Sequence, residues 1–128
     1  MYIWVAIDVN EQVSKLREVA ENYMNEQGLS STTFSLPFHI SLKISFQIPD
    51  DKFEDAVSDI REFYKSLKPF EIKTKGIERA GSIVWITMQD SDELVDIHKK
   101  LDEMMFEKYG VVQHAFDKDF KFHTSVLA

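Results

Sequence analysis

One pattern occurs twice in this chain, and it constrains the fold more than any other feature. Over Met1 to Ile44 and again over Ser82 to Leu127, an apolar strand is followed by an amphipathic helix, a polar loop and a second strand. Each second strand contains Phe, His, one variable residue and Ser, in that order. Because duplicated segments usually form similar units, we predict an α+β fold whose duplicated strand-helix-strand units form two lobes around a central cleft.

The same patterns predict where each element begins and ends. The predicted strands are Tyr2 to Val9, Pro37 to near Pro49, Phe70 to Lys75, Ser82 to Met88 and Phe120 to Leu127. The predicted helices extend from an N-cap at Asn10 to about Gly28, from Asp51 to Leu67, and from an acidic cap at Asp90 to about Gly110. Ala80 and Gly81 are predicted to form a turn.

Size and composition favour one ordered globular domain. A chain of 128 residues has the length of a single domain, and 44% apolar residues are enough to form a core. The second repeat stops at Ala128, where counterparts of the elements that follow the first repeat should begin, so we expect a domain over residues 1–128 that lacks C-terminal elements. We expect a monomer.

Charge and cysteine content narrow the partners and the compartment. The net charge of −7 disfavours an extended nucleic-acid surface, which normally needs rows of Lys and Arg, although a local pocket could still bind a nucleotide or an RNA end. The chain contains no cysteine, which favours a reducing cytoplasm. No apolar stretch is long enough to span a bilayer, so we expect no membrane association.

The repeated motif supplies chemically useful groups on one side of each strand. Residues two apart on a strand point the same way, so His39 projects with Ser41, and His123 with Ser125. Lys43 and Lys121 extend these two faces. If the strands face each other, the site holds two imidazoles, two hydroxyls and two cations.

These groups suit the cleavage of a phosphodiester. The reaction needs a base for the attacking oxygen, an acid for the leaving oxygen and donors for the remaining phosphate oxygens. Imidazole titrates close to neutral pH, so one histidine can be neutral while the other is protonated. We interpret both serines as phosphate donors, because neither has a third member of a nucleophilic triad. Acidic metal ligands are absent from both motifs, so we predict neither a metal nor a cofactor.

Two His-x-Ser motifs, each followed by an aliphatic residue on a strand of a duplicated α+β chain, resemble those of the 2H phosphoesterases, also called the 2'-5' RNA ligase family. The resemblance implies metal-independent chemistry on 2',3'-cyclic phosphates or 2'-5' phosphodiester bonds, with ligase activity in some members. It also implies that His39 and His123 are the acid and the base, in undetermined order. Ser41 and Ser125 would be the phosphate donors.

Two other functions stay open at this point. The same pocket could bind a nucleotide or an RNA end without turnover, or the repeat could be purely structural in an interaction domain.

Individual residues also have alternative interpretations. Lys43 and Lys121 could be solvated strand ends or cations that contact phosphate. His98, which lies beside two lysines, is predicted to be a solvated surface residue. His114 is interpreted as a loop residue near the pocket. Phe34 and Phe116 are core residues or platforms for a base.

Overall fold

The computed structural model describes residues 1–81, 83–113 and 121–127, and it has the predicted mixture of helices and strands. Its five strands are β1 (Tyr2–Asp8), β2 (His39–Gln47), β3 (Thr74–Ala80), β4 (Ile83–Met88) and β5 (His123–Leu127). Its three α-helices are α1 (Ser14–Glu26), α2 (Phe53–Ser66) and α3 (Asp92–Tyr109). Short 3₁₀ helices cover Thr32–Ser35 and Asp50–Lys52.

Strands β1 and β2 form a two-stranded sheet. Met1 and Ile48 exchange both backbone hydrogen bonds, at 3.1 and 2.8 Å, and the Val9 amide donates to the Phe38 carbonyl at 2.9 Å. The beginning of β1 therefore lies beside the end of β2, which makes the pair antiparallel.

Strands β3, β4 and β5 form a second, fully antiparallel sheet. Gly81 has a φ of +60°, as a tight connection requires, and it sets the pairing of Ala80 with Ile83. The last residue pair of this ladder is Thr74 with Met88, and one further hydrogen bond joins the Gln89 amide to the Lys73 carbonyl at 2.8 Å. The prediction of a strand over Phe70 to Lys75 is therefore largely wrong: β3 begins at Thr74, because its partner β4 ends at Met88.

The helix ends are better predicted than the helix beginnings. Gly28 and Gly110 both have a φ of 67°, and each follows the end of its helix as predicted. Asn10, however, does not cap α1, which begins at Ser14. Ser91 rather than Asp90 caps α3, because the Ser91 hydroxyl accepts a hydrogen bond from the Leu94 amide at 3.2 Å.

The chain forms two compact units, and their boundaries do not follow the repeats. Unit one contains residues 1–5, 42–72 and 90–120, and unit two contains residues 6–41, 73–89 and 121–128. Each repeat therefore contributes segments to both units. Both His-x-Ser motifs belong to unit two.

Each unit has its own buried side chains. Those of unit two include Phe38, Ile40, Ile86, Met88 and Phe122. Those of unit one come mainly from α2, α3 and the second half of β2, and include Leu42, Ile60, Leu94, Leu101 and Met105.

Candidate active site

His39 is the first residue of β2, and its ring is held by the backbone just before it. The Nδ1 atom lies 2.9 Å from the carbonyl oxygen of Pro37. A carbonyl oxygen can only accept a hydrogen bond, so the neutral ring carries its proton on Nδ1. Nε2 is then the basic nitrogen. The side chain is half-buried, whereas its neighbours Phe38 and Ile40 are buried.

His123 repeats this arrangement at the beginning of β5. Its Nδ1 lies 3.0 Å from the carbonyl oxygen of Lys121, which again stands two residues earlier in the chain. The same argument places the proton of the neutral ring on Nδ1 and makes Nε2 the basic nitrogen. The two motifs are therefore equivalent in local structure as well as in sequence, and both histidines are set up with the same tautomer.

The sheet of unit two separates the motif from the core. On one side of this sheet, Ile86, Met88, Phe122 and Thr124 are buried. His123 and Ser125 point to the other side, where they pair across the strands with Thr87 and Trp85. The Trp85 and His123 rings stack there, with centroids 4.4 Å apart and planes inclined by 26°. Sequence analysis did not predict this stack, because it depends on the register of β4 against β5.

Arg17 of α1 holds the segment that leads to His39, a second feature that sequence analysis missed. Its guanidinium donates to the carbonyl oxygens of Phe34 and Leu36, each at 2.8 Å, and to the Asn10 side-chain oxygen at 2.8 Å. It also lies over the rings of Phe34 and Phe38, 5.7 and 5.0 Å from their centroids. Asn10, which is not a helix cap, therefore links α1 to this segment.

The other predicted phosphate-binding residues have different surroundings. Ser41 is half-buried on the same side of β2 as His39, and Ser125 is half-buried beside Trp85. Lys121 is exposed, as a solvated strand end or a phosphate-steering cation would be. These residues belong to unit two together with both histidines.

Lys43 lies in unit one and is 2% exposed, so its interpretation as a solvated strand end is wrong. Its ammonium group forms an ion pair with Asp102 of α3 and lies 5.3 Å from the centre of the Phe46 ring. The alternation of β2 breaks here, because Leu42 and Lys43 are both buried. Nothing in this environment supports a phosphate contact.

His98 is also buried, at 8% exposure, which contradicts the prediction of a surface residue. Its Nδ1 lies 2.6 Å from the Leu42 carbonyl oxygen, and its Nε2 lies 3.4 Å from an Asp102 carboxylate oxygen. His98 shares the buried side of α3 with Leu94 and Leu101, while the neighbouring lysines are exposed. Helical position rather than the adjacent residues decides its burial.

The other residues interpreted from the sequence are Phe34, His114 and Phe116, and the structure describes only the first of them. Phe34 is half-buried and stacks on Phe38 with ring centroids 6.3 Å apart, which describes local packing. His114 and Phe116 lie outside the described residues.

In the part of the chain that is described, no cluster of three or more His, Cys, Asp or Glu side chains could hold a metal ion. None of the helices there is long and apolar enough to cross a membrane.

Comparison with known proteins agrees with the two motifs. The sequence model of the 2'-5' RNA ligase superfamily matches residues 3–128. The chain belongs to this superfamily. The predicted resemblance to 2H phosphoesterases is thereby confirmed.

Two curated relatives are named as phosphoesterases. A Bacillus licheniformis protein named "Putative phosphoesterase" is 26% identical over 106 residues, which are 78% of this chain and 62% of that protein. An Oceanobacillus iheyensis protein with the same designation is 28% identical over 75 residues, 56% of this chain and 44% of that protein. The chain thus matches less than two thirds of the length of either relative.

Proposed function

We propose that the protein is a metal-independent phosphodiesterase that acts on a 2',3'-cyclic phosphate or a 2'-5' phosphodiester of a nucleotide or RNA end. The observation that supports this most is the equivalence of His39 and His123. Both are half-buried in unit two, and each has its Nδ1 atom on the carbonyl oxygen two residues earlier. Paired proton transfer needs one base and one acid, and two imidazoles that each present Nε2 can supply both.

In the proposed reaction, the neutral histidine accepts a proton at Nε2 from the attacking water. The water oxygen forms a bond to phosphorus, the bond from phosphorus to the leaving oxygen breaks, and the protonated histidine donates its Nε2 proton to that oxygen. One water is added overall, and the two histidines exchange protonation states. The order of the two roles is open. If the hydroxyl of a second RNA end replaced water as the attacking group on a cyclic phosphate, the same groups would support ligation.

Three further residues are proposed to bind the phosphate. The hydroxyl groups of Ser41 and Ser125 share a strand face with their histidines and can donate to the non-bridging oxygens. The exposed ammonium group of Lys121 supplies a positive charge next to His123. Lys43 is not included, because its charge is already paired with Asp102.

The first test is turnover of 2',3'-cyclic AMP and of a 2'-5'-linked dinucleotide in excess chelator. We expect chelator-resistant turnover that falls by roughly 10²- to 10⁴-fold in His39→Ala and in His123→Ala, as for loss of an acid or base. The double variant should lose about as much as either single variant, because the pair acts as a unit.

Ser41→Ala and Ser45→Ala form a matched pair for the same assay, since Ser45 is an exposed serine on the same strand. Only Ser41→Ala should lower turnover. Absence of turnover together with saturable binding of the same nucleotides would instead support a non-catalytic binding module. Absence of both would contradict the proposal.

A further inference from the structure

Trp85 is placed against His123 by the pairing of β4 with β5. Trp85 pairs with Ser125 and Thr87 pairs with His123, so Trp85 lies diagonal to His123 on the same side of the sheet. The register shifts between Val84 and Trp85, which places a bulge or irregularity next to the motif. Such irregularities commonly change where a side chain points near active sites.

Most buried residues of this sheet lie on the other side, which carries Ile86, Met88 and Phe122. Trp85 is half-buried on the same side as His123, together with the buried Thr87. A large aromatic side chain therefore covers one face of the His123 ring on the less buried side of the sheet. The two rings are stacked with centroids 4.4 Å apart, and stacked aromatic rings attract each other.

Two contacts together restrict the His123 ring. The hydrogen bond from Nδ1 to the Lys121 carbonyl fixes one ring atom, but it still allows the ring plane to turn about that contact. Trp85 covers the face of the ring and opposes this rotation. Nε2, the atom proposed to exchange protons with the substrate, is then held in one direction.

On the basis of the proposed function, we propose that Trp85 is a positioning residue, which stacks on the His123 imidazole and holds its Nε2 in the orientation that proton transfer requires. Misplacement of a catalytic group by about 1 Å can reduce the rate by roughly 10²-fold, so rigid support for the ring has a large kinetic effect. The role requires an aromatic ring and not specifically an indole.

The kinetic test compares Trp85→Leu with Trp85→Phe on 2',3'-cyclic AMP. We expect the Leu variant to lose roughly 10- to 100-fold in kcat, with KM changed by less than about two-fold. The Phe variant should keep most of the activity, because a phenyl ring can still stack. Trp4→Leu is the matched control, since Trp4 is the other tryptophan of the chain, is 41% exposed and belongs to unit one.

Two kinetic results would overturn the proposal. An unchanged kcat in Trp85→Leu would show that the stack is dispensable. A raised KM with unchanged kcat would show that Trp85 binds the substrate, for example by stacking on its base, and does not position His123. Thermal unfolding of each variant shows whether a loss of kcat accompanies loss of the fold. If Trp85→Leu does not fold, the activity of Trp85→Phe and the magnetic resonance spectra test the proposal instead.

Nuclear magnetic resonance tests the positioning without any turnover. In the wild type at a pH where His123 is neutral, the ¹⁵N shifts of its ring should report a single tautomer with the proton on Nδ1, and its carbon-bound ring protons should be shifted upfield by Trp85. In Trp85→Leu, the upfield shift should disappear, and the nuclear Overhauser contacts from the carbon-bound ring protons of His123 to neighbouring strand protons should weaken, because the ring can then turn about its Nδ1 contact. Unchanged contacts would refute positioning even if the wild type showed no phosphodiesterase activity, so this failure is distinct from failure of the proposed function.

Discussion

The histidines of the two units differ in how deeply they are buried and in where the partners of their rings lie. In unit one, His98 is buried, and both of its ring nitrogens face an oxygen atom of the protein. In unit two, His39 and His123 are half-buried, and each is held at Nδ1 by a nearby carbonyl. The first arrangement fixes a ring in a packed interior, whereas the second orients a ring at a surface. Burial and the placement of partners therefore separate a structural histidine from a candidate catalytic one better than neighbouring residues do.

The cluster around His98 concentrates polar groups in the interior of unit one. Asp102 pairs with Lys43 through one carboxylate oxygen, while the other lies 3.4 Å from His98 and 3.2 Å from the side-chain amide of Gln113. Such a cluster makes unit one sensitive to loss of either Lys43 or Asp102, because the remaining charge would be buried without its partner.

Asp102→Ala should therefore have the largest effect on stability. It leaves the buried Lys43 ammonium without its partner, and we expect the free energy of unfolding to fall by about 3–5 kcal/mol in urea titrations. Asp96→Ala on the same helix is the control. Asp96 pairs with Lys100 at 2.8 Å, but both side chains are more than half exposed, so a loss below about 0.5 kcal/mol is expected. Equal losses in the two variants would contradict the structural role of the cluster.

The comparison of histidines is tested most directly by the same substitution at two sites. His98→Gln should lower the free energy of unfolding by about 1–3 kcal/mol, because it disturbs buried hydrogen bonds. His123→Gln should change it by less than about 1 kcal/mol, as expected at a less buried site, yet should lower turnover by roughly 10²- to 10⁴-fold. Denaturant unfolding measures the stability of both variants, and the cyclic-nucleotide assay measures their turnover. A larger destabilisation in His123→Gln would reverse the assignment of the two roles.

The alternation of residues along a strand predicted correctly which side chains are exposed only where no distant segment of the chain changes their environment. His39 and Ser41 lie on the half-exposed side of β2, as alternation along a strand requires. Lys43 should have continued that side, but it is buried by an ion pair with Asp102, 59 residues further along the chain. The contact of Trp85 with His123 similarly depends on a strand register that no local pattern encodes. Contacts between distant segments account for what the sequence did not predict.

A smaller, pH-dependent contribution is expected from the contact between α2 and α3. The Tyr109 hydroxyl donates to Asp59, which also pairs with Lys108 at 3.2 Å. The hydrogen bond from Tyr109, aided by Lys108, lowers the pKa of Asp59. Desolvation, followed by the interaction with Asp59, raises the pKa of Tyr109 from 10.0 to about 12.

The two pKa shifts fix the direction of the pH dependence. Because the folded state raises the pKa of Tyr109, its contribution is complete below about pH 10 and is lost as the pH rises toward 12. The contribution of Asp59 is present above its unfolded pKa, 3.8, and is lost as the pH falls further. Tyr109→Phe should cost about 1 kcal/mol near pH 7, and the difference from the wild type should shrink above pH 10 in thermal unfolding. A constant difference would exclude this linkage.

The smallest predicted effect concerns a buried hydroxyl in unit two, and it has the opposite sign. Thr124, the variable residue of the second motif, is fully buried, and its Oγ1 has no hydrogen-bond partner within the described residues. In unit one, the buried side chains of Lys43 and His98 have polar partners. The buried hydroxyl of Thr124 in unit two has none within the described residues. Thr124→Val removes the hydroxyl at nearly constant volume, so we expect the free energy of unfolding to rise by roughly 0.5–1 kcal/mol.

Thr87→Val is the matched control for this change. Thr87 is also buried in the same sheet, but its hydroxyl donates to the Gly76 carbonyl oxygen at 3.2 Å, so the same substitution should lower the free energy of unfolding by about 1 kcal/mol. Opposite signs in urea titrations would show that hydrogen bonding, and not the loss of a hydroxyl in itself, decides the outcome. A loss of stability in both variants would mean that the Thr124 hydroxyl has a partner, such as a buried water, and that unit two compensates its buried polar groups as completely as unit one.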